Sequence, residues 1–189
     1  MNFRPLLFAL ALGACQASPE PPLAGARIGG PFALVNQDGS ATTDKDFAGK
    51  YRLMYFGYTY CPDVCPVDLQ KLMAGYAAFE KAEPAAATKL APIFVSVDPE
   101  RDKPAVLKEY VTAFHPKLVG LTGTPEQIAA TAKSYAILYS KAGKPGATEY
   151  LMGHSRLAYL FGPDGKPIAL VPHDGTPQEI AAELKRWVT

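Results

Sequence analysis

The chain has 189 residues, of which 48% are hydrophobic and 20% charged, and its formal net charge is +1 at pH 7. This composition is typical of one soluble globular domain that is long enough to bury a core, and it argues against a long disordered chain. The near-zero charge gives no reason to expect a nucleic acid or an acidic substrate as a partner.

The first residues have the pattern of an export signal. One basic residue, Arg4, precedes the apolar run at residues 6–12, and small residues then lead to Cys15. The apolar run is far shorter than the ~20 residues that a membrane-spanning helix needs. We therefore interpret residues 1–14 as a cleaved signal peptide and not as an anchor.

Cys15 ends a segment, Leu12-Gly-Ala-Cys15, that resembles the bacterial lipobox. The resemblance implies a lipidated cysteine, which would tether a soluble domain to a membrane face. The alternative is an ordinary signal peptide with an incidental cysteine. On the first interpretation, residues 15–27 comprise the lipidated cysteine and a flexible proline-rich spacer, and residues 28–189 form the folded domain.

Beyond the spacer, strand-like and helix-like patterns alternate. Apolar runs bounded by turn residues predict strands, and apolar residues at helical spacing after a proline or a capping residue predict helices. The predicted strands are residues 32–35, 51–57, 90–97, 118–121, 155–161 and 166–171. The predicted helices are residues 66–79, 104–114, 124–137 and 176–188. Residues 139–150, rich in Lys, Gly and Pro, predict an exposed loop or hairpin.

The order of these elements predicts the fold. The strand-helix-strand-helix series that begins at residue 51 implies parallel strands joined by right-handed crossovers. The last two strands flank the turn Gly162-Pro-Asp-Gly165 and should form an antiparallel hairpin. With cysteines directly after the first strand of the series, the order predicts a thioredoxin-like α/β fold. Its central mixed sheet would be flanked by helices and preceded by an N-terminal hairpin.

Two cysteines, Cys61 and Cys65, follow the 51–57 strand at the start of a helix. This spacing would place the two Cα atoms about 6 Å apart, within the range that a disulfide tolerates. The positive end of the helix dipole would lower the pKa of the nearer thiol. A structural disulfide, a redox couple and a metal site are all compatible with this pattern.

As a metal site, the two thiolates would suit Cu(I) better than hard cations, and better than zinc because no second Cys-x-x-Cys pair is present. A third ligand would have to come from one of three histidines. His154 stands where an antiparallel strand returns to the cysteine edge of the sheet. His115 is predicted at the opposite end, and His173 one strand further away. We therefore expect Cys61, Cys65 and His154 to lie together.

Three segments carry a family resemblance. They are Phe56-Gly-Tyr-Thr-Tyr-Cys61-Pro-Asp-Val-Cys65-Pro, Phe94-Val-Ser-Val-Asp98-Pro-Glu-Arg-Asp102 and Tyr150-Leu-Met-Gly-His154-Ser. Over roughly residues 28–188 the chain resembles the Sco/SenC family of copper-binding, thioredoxin-like cytochrome c oxidase assembly proteins. The resemblance implies that Cys61, Cys65 and His154 bind copper as Cu(I), with Cu(II) as a second oxidation state. The family usually has an acidic residue just before the histidine, where this chain has Gly153.

The resemblance also implies a function and partners. A lipid-anchored copper chaperone on the periplasmic side of a bacterial membrane would deliver copper to the copper-centre subunit of cytochrome c oxidase. Another copper chaperone or a thiol reductase is a further expected partner. The alternative function is enzymatic, a thiol-disulfide oxidoreductase whose Cys61 and Cys65 dithiol reduces the copper-site cysteines of the oxidase. Asp63 and Asp98 would tune the electrostatics of the thiolates and metal, or serve only in loop capping and turn formation.

Overall fold

The computed structural model describes residues 20–143 and 149–189. In these two ranges the chain forms nine strands, five α-helices and a short 3-10 helix at Asp44–Phe47. The strands are β1 (Ala33–Asn36), β2 (Ala41–Thr43), β3 (Tyr51–Gly57), β4 (Leu90–Ser96), β5 (Val119–Thr122), β6 (Tyr139–Ala142), β7 (Leu151–His154), β8 (Ala158–Phe161) and β9 (Pro167–Val171). The helices are α1 (Val64–Ala82), α2 (Pro84–Ala87), α3 (Pro104–Phe114), α4 (Pro125–Ser134) and α5 (Pro177–Trp187).

Seven of the strands form one mixed sheet in the order β2-β1-β5-β4-β3-β8-β9. β3 pairs with β4, and β4 with β5, in parallel, whereas β8 runs antiparallel to β3 on its other side. This is the thioredoxin-like arrangement that the element order predicts. Because β3 lies inside the sheet, between β4 and β8, the segment that follows Gly57 starts at the C-terminal end of an interior strand. Both cysteines of the motif lie in that segment.

The two faces of the sheet carry separate parts of the core. Along β3, Leu53 and Tyr55 pack with residues of α1, α3 and α5, whereas Met54 and Phe56 pack on the opposite face with residues of α4. Successive side chains of a strand point to opposite faces, so a strand covered on both sides reads as a continuous apolar run. That run is what made β3 recognisable in the sequence.

The structure differs from the sequence prediction at the His154 strand. The predicted 155–161 strand begins only at Ala158, and residues before it form β7, which pairs with β6 in a separate two-stranded sheet. Directly after β7, the N–H of Ser155 donates to Leu138 O at 2.8 Å and closes the end of the β6–β7 ribbon. His154 is therefore the last residue of a ribbon and not the first residue of a main-sheet strand.

Helix boundaries also shift by a few residues. Helix α1 begins at Val64, before Pro66, because proline is compatible with the first turn of a helix. Helix α4 ends at Ser134 and not near residue 137, because Ala136 has a φ of 53° and so leaves the right-handed helical region.

The N-terminal end of the described chain lies against the folded body. Leu23 donates its N–H to Ile168 O at 2.9 Å, and its side chain packs on the core. This part of the predicted flexible spacer is therefore packed on the domain. The predicted signal peptide and Cys15 lie outside the described residues. Within the described ranges, no helix combines the length and the apolar character needed to cross a membrane.

Candidate metal and thiol site

The two cysteines lie at the N-terminus of α1. Asp63 is the N-cap residue, Cys65 is the second residue of the helix, and Cys61 lies in the preceding loop. Cys65 is completely buried, whereas Cys61 is partly exposed, and both are free thiols. The backbone N–H of Cys65 points to Cys61 Sγ at 3.5 Å. An unpaired N–H of the first helical turn thus faces the more exposed sulfur.

The cysteine loop is fixed to the main sheet by a buried carboxylate. Asp102 is fully buried and accepts hydrogen bonds from Thr59 N–H at 3.0 Å, from Thr59 Oγ1 at 2.6 Å and from Ser96 Oγ at 2.6 Å. Burial raises the pKa of Asp102 despite these donors. Thr59 is two residues before Cys61, so Asp102 ties the loop to the end of β4. This role of Asp102 was not predicted from the sequence.

His154 lies directly against the buried cysteine. Its Nε2 is 2.9 Å from Cys65 Sγ, and its Nδ1 is 3.0 Å from the carbonyl oxygen of Ser155. A carbonyl oxygen can only accept, so Nδ1 carries the hydrogen and Nε2 presents a lone pair. Burial lowers the pKa of His154, which favours the neutral imidazole at pH 7. The rings of Tyr55 and Tyr58 meet the imidazole edge-on at centroid distances of 6.3 and 6.0 Å.

The two thiols differ in acidity. Burial opposes ionisation of Cys61, but hydrogen bonds from the backbone of Cys65 and Asp63, and from the side chains of Cys65 and Tyr58, lower its pKa. Burial raises the pKa of Cys65 well above its usual range, and the nearby Cys61 adds to the effect. The site therefore combines an accessible sulfur that ionises readily with an enclosed sulfur that keeps its proton.

An ion pair between a buried carboxylate and a partly exposed guanidinium lies next to these residues, and it was not predicted from the sequence. Asp68, one turn after Cys65 on α1, is 1% exposed and binds Arg156 through two hydrogen bonds of 2.9 and 2.7 Å. Tyr55 also donates its hydroxyl to Asp68, at 2.9 Å, and His173 Nε2 lies 3.8 Å from the same carboxylate. His173 is therefore closer to the site than its strand position predicted. A charged residue one turn from a site cysteine was the available signal.

The two predicted tuning carboxylates lie elsewhere. The Asp63 side chain is exposed and makes no capping hydrogen bond, so its contact with the Cys61 sulfur comes from its backbone N–H. Asp98 is buried, and within the described part of the chain its carboxylate accepts hydrogen bonds only from Arg101 and Tyr150. Asp68, which was not predicted, is instead a carboxylate whose charge helps to raise the pKa of Cys65, after burial and Cys61.

Two further residues from the sequence predictions, His115 and Gly153, make no contact with the cysteine sulfurs in the described structure. His115 caps the C-terminus of α3, where its Nε2 is 3.7 Å from Glu80 at the far end of α1. Gly153 is exposed on β7, and a Cβ there would meet Ser140 Oγ at 3.4 Å and Ser140 O at 4.0 Å, both ordinary contacts. The family's acidic side chain would therefore have space at this position.

The donor atoms suit a soft metal ion, but the three side chains are close together without forming a complete coordination site. Two sulfurs and a neutral imidazole nitrogen are the ligand types that Cu(I) prefers. Within residues 20–143 and 149–189, however, no group of three or more His, Cys, Asp or Glu side chains is already arranged to hold a metal ion. The formed contacts are His154 with Cys65, and Cys61 with the backbone of Cys65. Simultaneous ligation by all three would require a local adjustment of these side chains.

Comparison with known proteins gives concordant matches along most of the chain. The SCO1/SenC family profile matches residues 20–189. A mitochondrial SCO1 homolog 1 from Arabidopsis thaliana is 47% identical over 146 residues, which cover 77% of this chain and 42% of the relative. The chain spans about half the length of the first curated relatives that it matches, with shares of 42%, 52% and 55%.

Two solved structures are informative. ScoI of Bradyrhizobium japonicum, solved with copper bound, is 44% identical with a TM-score of 0.76, and the match covers 85% of this chain and 99% of that chain. BsSco, a member of the Sco family of cytochrome c oxidase assembly proteins in which a disulfide switch was identified, is 29% identical with a TM-score of 0.59. That match covers 82% of this chain and 90% of BsSco.

Proposed function

Because the chain belongs to the SCO1/SenC family, we propose that it is a metallochaperone that delivers copper to the copper centre of cytochrome c oxidase during assembly. Cys61, Cys65 and His154 would bind the copper. The observation that carries this proposal is the 2.9 Å contact between Cys65 Sγ and His154 Nε2, residues 89 positions apart. It sets a nitrogen lone pair beside the cysteine pair, which a purely structural disulfide would not require. The copper bound to a 44% identical relative supports the choice of metal.

The three side chains would contribute differently. Cys61 is the accessible sulfur with the lowered pKa, so it would meet incoming copper first. Cys65 holds its proton because it is buried, and it must release that proton before its sulfur can bind. His154 is already neutral with Nδ1 engaged, so it would offer Nε2 without losing a proton. Copper uptake should therefore release protons and strengthen as the pH rises.

The proposal includes a membrane tether. A lipid on Cys15 after removal of residues 1–14 would hold the domain of residues 28–189 at the periplasmic side of a bacterial membrane. Support comes from the apolar run at residues 6–12 and from the lipobox-like segment that follows it. Labelling cells with a fatty-acid analogue should mark the wild-type protein and leave Cys15→Ser unlabelled. Equal labelling of both would exclude a lipid at this cysteine.

Copper binding is tested by anaerobic titration of the reduced protein with Cu(I) against a competing chelator. We expect one copper per chain. Removing a residue that hydrogen-bonds to a metal ligand typically weakens metal binding about 10–100-fold. Removing the ligand itself, in His154→Ala, should therefore weaken binding about 100-fold or more. His115→Ala, which removes a histidine at the far end of α1, is the matched control and should bind normally. Normal affinity in His154→Ala would contradict the ligand assignment, and no binding by wild type would contradict the copper function.

The unequal acidity of the two thiols favours a second candidate function, reduction of a partner disulfide. The Cys61 thiolate would attack one partner sulfur and form a mixed disulfide, and the other partner sulfur would leave as a thiolate. Cys65, after losing its proton, would then attack the Cys61 sulfur and release the second partner thiolate. Two electrons pass to the partner, and a Cys61–Cys65 disulfide forms.

This reaction makes no use of His154 as a ligand, which separates it from copper delivery. Disulfide-linked peptides from an oxidase copper site should be reduced equally fast by wild type and His154→Ala if reduction is the main function. Cys65→Ser should accumulate the mixed disulfide on Cys61, detectable by mass spectrometry. Failure of wild type to reduce the peptides would exclude this function.

A further inference from the structure

The elements that carry Cys65 and His154 are joined by an ion pair. Asp68 lies three residues after Cys65 on α1, and Arg156 lies two residues after His154. Arg156 Nε donates to Asp68 Oδ2 at 2.9 Å, and Nη2 donates to Oδ1 at 2.7 Å. Two parallel bonds between planar groups fix orientation as well as distance. The pair therefore constrains where the chain after His154 sits relative to the first turns of α1.

A tyrosine extends this constraint to the imidazole ring. Tyr55 on β3 is 1% exposed and donates its hydroxyl to Asp68 Oδ2 at 2.9 Å. Its ring meets the His154 ring edge-on, with 6.3 Å between centroids and 89° between planes. Asp68 thus binds both Arg156, two residues after His154, and Tyr55, whose ring packs against the imidazole of His154.

The position of His154 depends on contacts of this kind, because the β6–β7 ribbon that carries it is not part of the main sheet. Strands β6 and β7 pair only with each other among the described strands. A two-stranded ribbon is marginally stable by itself. Its position over the cysteines must therefore be set by contacts with the body of the domain, and Arg156 lies at its C-terminal exit.

The geometry points to Asp68 and Arg156 as a positioning pair that holds His154 Nε2 against Cys65 Sγ. This inference rests on the proposed copper site, and it adds two residues that act through His154 without touching the metal. An ion pair with one partly exposed partner adds little net stability, but its two-bond geometry can specify one arrangement. Here the arrangement it specifies is a nitrogen donor already beside a sulfur donor before copper arrives, which would strengthen binding by preorganisation.

The test is a double-mutant cycle on Cu(I) affinity with Asp68→Asn, His154→Ala and the combined variant. Asp68→Asn keeps the side-chain shape and should weaken Cu(I) binding about 10–100-fold, the range for partners of metal ligands. In the His154→Ala background the same substitution should have no further effect beyond about twofold. Glu80→Gln is the matched control, because it breaks the ion pair to Lys117 at the other end of the same helix. It should bind copper normally.

A copper-free measurement accompanies the cycle. Nitrogen-15 NMR of the imidazole should show the single Nδ1–H tautomer of His154 in wild type and Glu80→Gln, and a mixture of tautomers in Asp68→Asn. If Asp68→Asn does not fold by circular dichroism, Arg156→Lys replaces it in both measurements. Arg156 is 43% exposed, and lysine keeps its charge but cannot make the two-bond contact.

The possible results distinguish the positioning role of Asp68 and Arg156 from the copper function. Wild-type affinity in Asp68→Asn, an effect that persists in His154→Ala, or an unchanged imidazole spectrum would overturn the positioning role while leaving the copper function intact. Absence of copper binding in wild type would instead overturn the proposed function, and the NMR comparison would still accept or reject the positioning pair.

Discussion

Gly57→Ala should destabilise the protein and displace the buried Cys65 sulfur, because the absence of a side chain at Gly57 leaves space for that sulfur. A Cβ at this position would lie 3.0 Å from Phe94 Cε2, 3.2 Å from Cys65 Sγ and 3.2 Å from Tyr55 Cε1. Ordinary contacts of a Cβ begin near 3.4 Å. All three neighbours are at most 1% exposed, so none can move aside into solvent.

The expected magnitude follows from this crowding. Adding a methylene-sized group to a well-packed core costs about 1–3 kcal/mol. With a urea slope of about 2 kcal/mol/M, a loss of about 2 kcal/mol lowers the unfolding midpoint by about 1 M. Because Cys65 Sγ is held between Gly57 and His154 Nε2, displacement of the sulfur should also alter the 2.9 Å contact.

Urea unfolding followed by circular dichroism measures the effect, with Gly153→Ala as the control. Gly153 lies beside His154 in the sequence, yet a Cβ there has an ordinary contact at 3.4 Å with Ser140 Oγ. The control should stay within about 0.5 kcal/mol of wild type. Unfolding of Gly57→Ala at the wild-type midpoint, or an equal loss of stability in both alanine variants, would contradict crowding at Gly57.

Two further predictions concern the thiols and the helix packing. Iodoacetamide should modify Cys61 before Cys65, with a pH midpoint for Cys61 below that of an unperturbed cysteine, because hydrogen bonds lower its pKa and burial raises that of Cys65. Peptide mapping by mass spectrometry checks this, and equal labelling at pH 7 would refute it. Gly75→Ala should destabilise the protein although alanine is the better helix former, because its Cβ would stand 2.3 Å from Ile180 Cγ2. A rise in the urea midpoint would contradict that.

The central part of the fold was predictable because its signals are local. β3 and α3 have the bounds that the sequence indicated, since a buried parallel strand reads as an unbroken apolar run and a proline opens the helix. His154 was expected near Cys65 from the direction of the 155–161 strand and from its place beside β3 in a thioredoxin-like sheet. The two residues are in contact, although His154 lies in the β6–β7 ribbon and not at the start of that strand.

The ribbon and the ion pair were not predictable in the same way. Whether residues 151–154 extend β8 or pair with β6 depends on which distant segment supplies the hydrogen bonds. On α1, the apolar residue Val67 is 48% exposed, whereas its acidic neighbour Asp68 is 1% exposed. The partner that allows a buried carboxylate there, Arg156, is 88 residues away. Hydrophobic periodicity contains no information about such a pairing.

The most direct measurement is the copper K-edge X-ray absorption spectrum of the reduced, Cu(I)-loaded protein, recorded for wild type and His154→Ala. A site of Cys61, Cys65 and His154 predicts two sulfur donors and one imidazole nitrogen in wild type, with the nitrogen contribution lost in the variant. A wild-type spectrum with sulfur donors alone, or one that His154→Ala leaves unchanged, would contradict the three-ligand site.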